Sequence, residues 1–422
     1  MSEKMRVLWV TNIVIPQIAR KIGMNVVPVG GWMVKFADEI SQCAEIDLSI
    51  AFPYKNEIKG RVEQIDYYGF SIKPNKVKVN NCQSEITSIE KIIKDVSPEC
   101  IHIFGTEEPH SYVFVEAAIK LGYQDKIIIS IQGLKSIYAK HYEAYLPHKV
   151  IRGFTLRDLY KGNIIARKKK FEKAGSLEIE AIRNVHHVIG RTDWDKSCTS
   201  IINPNIKYHF NNEMLRDSFY TAHPWSWAAC NYHSIFMSQA TLPLKGLHIA
   251  LEAVTILKPY YSDLKLRIAG KSYTEKSSYK LSNYERFVLK MIKDNELGDI
   301  VEFTGFLDER QMVKEYKQCN VFVCTSSIEN SPNSVCEAMM LGVPVVSSHV
   351  GGVSNLLVHG LEGFLYQADA PYMLSYYIRT LFDDPELSEN MSNRGREHAR
   401  KTHNVKEIVL KQLEIYKEIK QS

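Results

Sequence analysis

The stretch Val321–Ser347 limits the possible folds more than any other part of the chain. Val321-Phe-Val-Cys-Thr is a short apolar run with the length of a buried strand, and Ser331-Pro-Asn-Ser announces a helix start. Gly342 and Pro344 stop that helix, and Val343-Pro-Val-Val-Ser reads as the next strand. Strand, loop, helix, turn, strand is the repeating unit of a parallel sheet covered by helices. The alternation runs through both halves of the sequence. Val7-Leu-Trp-Val, Ile46-Asp-Leu-Ser-Ile, Cys100-Ile-His-Ile-Phe, Lys126-Ile-Ile-Ile-Ser and Val185-His-His-Val-Ile are strand runs, with helical patterns at Glu85 to Val96 and Ser111 to Leu121. Gly30-Gly31, after Pro28, opens a helix whose Trp32, Phe36, Ile40 and Cys43 recur at helical spacing. The pattern restarts at Ser234-Ile-Phe-Met-Ser and continues through Leu264 to Ala269 and Ile300 to Thr304. A length of 422 residues is long for one core, so two domains with a cleft between them are expected. The aperiodic, proline-containing segment Thr221 to Asn231 is where the linker is placed, dividing the chain into residues 1–222 and 223–404.

The composition excludes several classes. With 45% hydrophobic and 24% charged residues the chain is an ordinary globular protein, and no apolar stretch has the length of a membrane span. The first residues turn polar too quickly for a secretory signal, which with eight scattered cysteines points to a reducing, cytoplasmic setting. No Cys-x-x-Cys or other metal-ligand spacing occurs. A net charge of +5 is too small to imply nucleic acid without a concentrated patch. One basic run, Arg167-Lys168-Lys169-Lys170, offers a face for anionic lipid headgroups, although such runs are more often solvated surface.

Two carboxylates carry the functional argument. Glu329 falls on the loop at the carboxyl end of a strand, and Glu337 inside the first turns of the helix that follows. In open parallel sheets that crevice is where ligands bind. The backbone N–H groups of Asn333, Ser334 and Val335 would meet an anion such as a diphosphate. The carboxylates would accept paired hydrogen bonds from vicinal hydroxyls on either side of it. This combination suits a nucleotide sugar. Lys245, in Leu242-Pro-Leu-Lys-Gly-Leu-His, precedes a helix start and can reach the diphosphate, while Gly246 permits close backbone approach. Gly30 and Gly31 are candidates for backbone crowding against a ligand, as are Gly351 and Gly352. Neither pair belongs to a Gly-x-Gly-x-x-Gly fingerprint. Among the histidines, His110 lies just past a strand end, His102 within a strand, and His141 in a segment whose simplest role is surface packing.

The segment from Glu329 to Glu337 resembles the Glu-x7-Glu motif of family 4 (group 1) retaining glycosyltransferases, which have the GT-B fold. The likeness continues through Gly342-Val-Pro-Val-Val, Gly351-Gly352 and His359-Gly360-Leu-Glu-Gly363, and upstream at Lys245-Gly246. It is looser in the first half, resting on Gly30-Gly31-Trp32, His102-Ile-Phe-Gly and Ile131-Gln-Gly133. The resemblance implies two Rossmann-like domains with parallel sheets facing across a cleft, the first binding acceptor and the second a nucleoside diphosphate sugar. It also implies that the last helix, in residues 405–422, packs back on the first domain. Glu329 would contact the transferred sugar, Glu337 the ribose, Lys245 the diphosphate, and a histidine such as His110 the sugar. No metal or other cofactor is expected. The implied activity is transfer, with retention, from a UDP-sugar in preference to a GDP-sugar, to a saccharide or lipid-linked acceptor of a bacterial surface polysaccharide. The same crevice would also serve a nucleotide-sugar epimerase or a non-catalytic nucleotide-sugar-binding partner. Two positions depart from the family pattern: Ala240 stands where an arginine is usual, and Asn355 where a glutamate is usual. Either Lys245 acts there with backbone donors alone, or another cation such as Lys271 or Arg191 replaces the arginine.

Overall fold

The computed structural model describes residues 4–25 and 30–422. Pro28 and the first three residues, both invoked above, lie outside the described residues. The chain forms two compact units, one of residues 1–137, 171–216 and 403–422, the other of residues 138–170 and 217–402.

The first unit is built on an eight-stranded sheet. Its strands are β1 (Met5–Val10), β2 (Ile46–Pro53), β3 (Ile58–Val62), β4 (Ile65–Phe70), β5 (Cys100–Phe104), β6 (Ile127–Ser130), β7 (His187–Gly190) and β8 (Lys207–Phe210). Their order is β3-β4-β2-β1-β5-β6-β7-β8, all parallel except the β3–β4 hairpin. Central strands such as β5 and β6 are buried along their whole length, as apolar runs covered on both faces must be. One apolar layer gathers Ile89, Ile93, Val113, Phe114 and Ile182 over one face; the other gathers Trp9, Phe36, Ile40, Ile415 and Ile419. The helix after Gly30 spans Gly31–Ser41, two residues short of the Cys43 expected in it.

The second unit carries a six-stranded parallel sheet of β9 (Ser234–Met237), β10 (Lys265–Ala269), β11 (Val301–Gly305), β12 (Val321–Cys324), β13 (Val345–Ser348) and β14 (Phe364–Tyr366). The order is β11-β10-β9-β12-β13-β14. The chain therefore leaves β9 to one side and later returns to its other side, which makes the gap between β9 and β12 the topological switch point. In the first unit the corresponding point lies between β1 and β5.

Residues 138–170, which chain order places in the first domain, pack in the second unit, and the junction falls between Arg216 and Asp217 rather than after residue 222. Side-chain bonds explain the transfer. His248 Nε2 lies 2.7 Å from the Ala144 carbonyl, Asn283 Nδ2 donates to the Val150 carbonyl at 2.7 Å, and the Asn283 backbone N–H donates to Asp158 at 2.9 Å. Among the described residues no helix is long and apolar enough to cross a membrane.

The terminal helix Val405–Gln421 belongs to the first unit and brings Tyr416 into its core. Trp9 Nε1 donates to the Tyr416 hydroxyl at 2.8 Å, which lies 2.6 Å from His102 Nδ1, while His102 Nε2 lies 2.7 Å from Ser130 Oγ. His102 is thus a satisfied core residue, and burial pushes its pKa down to about 3. Its folded pKa lies below the unfolded value of 6.5, so its contribution to stability is complete above pH 6.5 and is lost as pH falls from there toward 3. Tyr416→Phe should cost about 1–3 kcal/mol in denaturant unfolding at neutral pH, since it leaves buried polar partners unmet. His102→Gln should flatten the acid side of the stability profile in the same assay.

Candidate functional site

Lys245 and Glu329 leave the carboxyl ends of the two strands that flank the second unit's switch point. After β9 the chain makes the 3-10 turn Pro243–Lys245, then Gly246 in the left-handed region at φ 69° starts the helix Leu247–Leu257. After β12 come six consecutive buried residues, Thr325 to Asn330, of which five are polar. A buried polar loop requires partners for its groups, and here the two strand ends supply them to each other. The Ser327 N–H donates to the Leu244 carbonyl at 2.8 Å. Thr325 Oγ1 bonds to the carbonyls of Lys245 at 2.9 Å and Gly246 at 3.0 Å. Ser348 Oγ, at the end of β13, donates to the Ser326 carbonyl at 2.6 Å. The approach is so close that a Cβ built on Gly246 would sit 1.8 Å from the Thr325 carbonyl oxygen.

The result is a direct ion pair between Lys245 Nζ and Glu329 Oε1, reinforced by Ser326 Oγ donating to the same oxygen at 2.7 Å. Glu329 is 7% exposed. Burial by itself lowers the Lys245 pKa, but the adjacent carboxylate more than offsets this and holds it above the usual lysine value. The lysine is therefore a fixed cation. Gly351, at φ 52°, brings its loop against the Glu329 carbonyl, to which Gly352 N–H donates at 3.1 Å; a Cβ at Gly351 would lie 1.8 Å from that oxygen.

The helix Asn333–Leu341 begins beside this loop and ends at Gly342 in the left-handed region. Glu337, its fifth residue, is 7% exposed. The Tyr316 hydroxyl donates to the Ser334 carbonyl at 3.0 Å and fixes the first turn. Asn333 and Ser334 carry N–H groups of that turn, which has no intrahelical acceptor for them. Val335 does not belong with them, because its N–H donates to the Pro332 carbonyl at 2.9 Å. Three N–H donors were expected here; the turn closed by Pro332 leaves two.

The remaining predicted residues fall elsewhere. Gly30 and Gly31 follow β1 and His110 follows β5, on either side of the first unit's own switch point. Gly30 sits at φ 72°, and a Cβ there would lie 2.1 Å from Ile13 Cδ1, while one on Gly31 would meet Arg216 Cγ at 2.6 Å. The left-handed backbone thus favours glycine at position 30, whereas at Gly31 the contact is with the flexible Arg216 side chain. His110 is buried against Phe70 and lines an open pocket with Asn12, Tyr54, Lys55 and Glu108. Burial, helped by Lys135, lowers its pKa to about 4, so it is neutral at pH 7. Of the two candidate replacements for the arginine at Ala240, Lys271 is exposed and Arg191 pairs with Glu213 at 2.5 Å in the first unit. Ala240 itself is buried, its carbonyl accepting from the Tyr273 hydroxyl at 2.8 Å. Within the basic run Arg167 and Lys168 are half-buried, Lys168 pairing with Glu143 at 2.8 Å, and only Lys169 and Lys170 are exposed.

Sequence reasoning missed Thr325, Ser326 and Ser348, whose hydroxyls assemble the site. It also missed Arg157 and Asn163, which line a small pocket with Arg167, Thr241 and Pro243 next to the Lys245 turn. In the first unit it missed buried Glu178, which accepts from Thr106 Oγ1, Ser136 Oγ and the N–H groups of Lys135 and Ser136. Beside it burial pushes the Glu107 carboxyl up to about 7. A signal existed for Glu107, since Thr106-Glu-Glu-Pro stands at the carboxyl end of β5.

Residues 230–398 match the sequence profile of the family described as "Glycosyl transferases group 1". Over 171 residues the chain is 28% identical to the putative colanic acid biosynthesis glycosyltransferase WcaL of Salmonella typhimurium, covering 39% of this chain and 40% of that one. The first curated relatives are matched over no more than 40% of their own length. In structure the whole chain is similar to sucrose-phosphate synthase from Thermosynechococcus elongatus, with a TM-score of 0.69 at 14% identity over 98% of this chain and 99% of that one. Anabaena HepE, solved in complex with UDP and glucose, follows at a TM-score of 0.67 and 15% identity, over 97% and 99% of the two chains. The fold is GT-B, two Rossmann-like units with parallel sheets.

Gly246→Ala forces a side chain into a left-handed position and onto the Thr325 carbonyl. It should lower stability by about 2 kcal/mol or more, read as the shift in thermal midpoint, whereas Gly298→Ala, with open space around it, should change little.

Proposed function

We propose that this chain, whose residues 230–398 match the profile of the group 1 glycosyl transferases, transfers a sugar from a nucleoside diphosphate donor with retention at the anomeric carbon. The observation that carries the reading is the Lys245–Glu329 pair held at the switch point beside an open helix N-terminus. In the donor complex Lys245 exchanges its carboxylate partner for the diphosphate, which also meets the N–H groups of Asn333 and Ser334. Glu329, released from the lysine, turns its oxygens to the hydroxyls of the transferred sugar, and Glu337 accepts from the ribose.

Chemically, the bond from the anomeric carbon to the diphosphate breaks while a bond to the acceptor oxygen forms on the same face. The acceptor's proton passes to the departing phosphate oxygen. Negative charge grows on the diphosphate, and a fixed lysine with oriented N–H dipoles stabilises it without reorganisation. The charge on the leaving group is met by Lys245 and the helix, so transfer should persist in EDTA. With alanine at position 240, Lys245 bears more of that charge than in relatives with arginine there. UDP-sugars are the favoured donors, consistent with the UDP bound in the HepE structure. The likeness to a colanic acid enzyme favours a saccharide or lipid-linked acceptor of a bacterial surface polysaccharide, with the protein working in the cytoplasm.

The test incubates the protein with UDP-sugars and GDP-sugars, with and without saccharide or lipid-linked acceptors, and measures nucleotide release. Acceptor-dependent release is expected. A new sugar nucleotide formed without acceptor would mark an epimerase, and binding without turnover a non-catalytic partner. Glu329→Ala should abolish transfer while nucleotide affinity stays nearly the same; normal turnover by this variant would overturn the assignment. In calorimetry Glu337→Ala should weaken nucleotide binding about tenfold or more, ~1.4 kcal/mol.

A further inference from the structure

Residues 148–170 hold eight lysines and arginines and a single acid, Asp158, whereas the entire chain is only +5. The segment also contains the short helix Leu156–Lys161, whose apolar face is turned the wrong way for a core element. Leu156, Leu159 and Tyr160 stand at i, i+3 and i+4, the spacing with which a surface helix normally buries its apolar stripe. Here they are 61%, 69% and 91% exposed, and Phe154 just before them is 62% exposed. The side chain that points inward is the acid. Asp158 is 3% exposed, closes a capping box with Thr155 and accepts from the Asn283 N–H at 2.9 Å.

This inversion is built, not loose. The Asp158–Asn283 bond and the Asn283 bond to the Val150 carbonyl clamp the helix to the rest of its unit, so its apolar face is held in solvent. Five exposed cations, Lys149, Arg152, Lys161, Lys169 and Lys170, lie in the same stretch of sequence. A second protein surface would fit exposed leucines and aromatics, but it would not call for five exposed cations nearby in the chain with the one carboxylate withdrawn. An anionic bilayer calls for both, with apolar side chains and tyrosine at the headgroup boundary and cations against the phosphates.

We propose that Phe154, Leu156, Leu159 and Tyr160 insert into the interface of an anionic lipid bilayer while the exposed lysines and arginine of the same segment hold its headgroups. The surface differs from the one that the basic run alone suggests, since Arg167 and Lys168 are half-buried and engaged within the unit. It would hold the protein at the membrane where a lipid-linked acceptor resides, but its presence does not depend on the donor reading.

The experiment is co-sedimentation of the full chain with phosphatidylcholine vesicles, with and without phosphatidylglycerol, over a salt series. Wild type should pellet with the anionic vesicles, less so at high salt, and stay soluble with the neutral ones. Leu156→Ser/Leu159→Ser/Tyr160→Ser and, separately, Lys169→Glu/Lys170→Glu should each weaken binding about tenfold or more. Both should keep the wild-type thermal midpoint and nucleotide affinity, since every substituted side chain is exposed. Failure of wild type to bind anionic vesicles overturns the proposal, as does equal binding by the triple variant. A lipid-free dimer that only the triple variant loses would assign the surface to a second copy of the chain and overturn it equally.

Discussion

One contact organises the second unit: the buried carboxylate of Glu329 held against the Lys245 ammonium, where β9 and β12 part. Neither group could be left alone there. A buried lysine loses its charge readily, and a buried carboxylate without donors is expensive. Placed together, with Ser326 as a further donor to the carboxylate, each gives the other the partner that burial requires. Removing one partner strands the other, so the pair is costly to disturb. A ligand that offers the lysine a better anion and the carboxylate a set of hydroxyls can nevertheless divide it.

The architecture around the pair serves that contact. The loop Thr325–Asn330 is buried and polar, and a loop of that kind needs its bonds chosen for it. Gly246 lets the Lys245 turn approach until the Thr325 hydroxyl reaches two carbonyls, and Gly351 lets a second loop close on the Glu329 carbonyl. Below, Tyr316 packs among Phe219, Phe236 and Phe322 and hands its hydroxyl to the first turn of the helix that carries Glu337. The aromatic core therefore sets where the helix N-terminus stands, and the glycines set how near the charged groups come to it.

Much of this was legible before any coordinates. The strands β5, β6, β9, β12 and β13 announce themselves because apolar runs buried on both faces have few other uses, and Gly342 with Pro344 ends the Glu337 helix where expected. The β3–β4 hairpin was not legible, since Ile58-Lys-Gly-Arg-Val alternates only weakly at a half-exposed edge. Nor was β14, three residues long. The placing of residues 138–170 in the second unit rests on bonds such as His248 to Ala144, across a hundred positions of sequence, and no local pattern encodes those. At the site the residue types could be read but not their partners. The sequence puts a lysine and a glutamate on the loops that follow two strands; that they bind each other, and that Val335 spends its N–H on Pro332, are facts of packing.

The most direct test is a crystal structure with UDP-glucose bound. The account predicts the diphosphate at the N-terminus of the helix Asn333–Leu341 within hydrogen-bond distance of Lys245 Nζ, with Glu329 moved off the lysine and onto sugar hydroxyls. A nucleotide bound elsewhere, with the Lys245–Glu329 pair still closed, would contradict it.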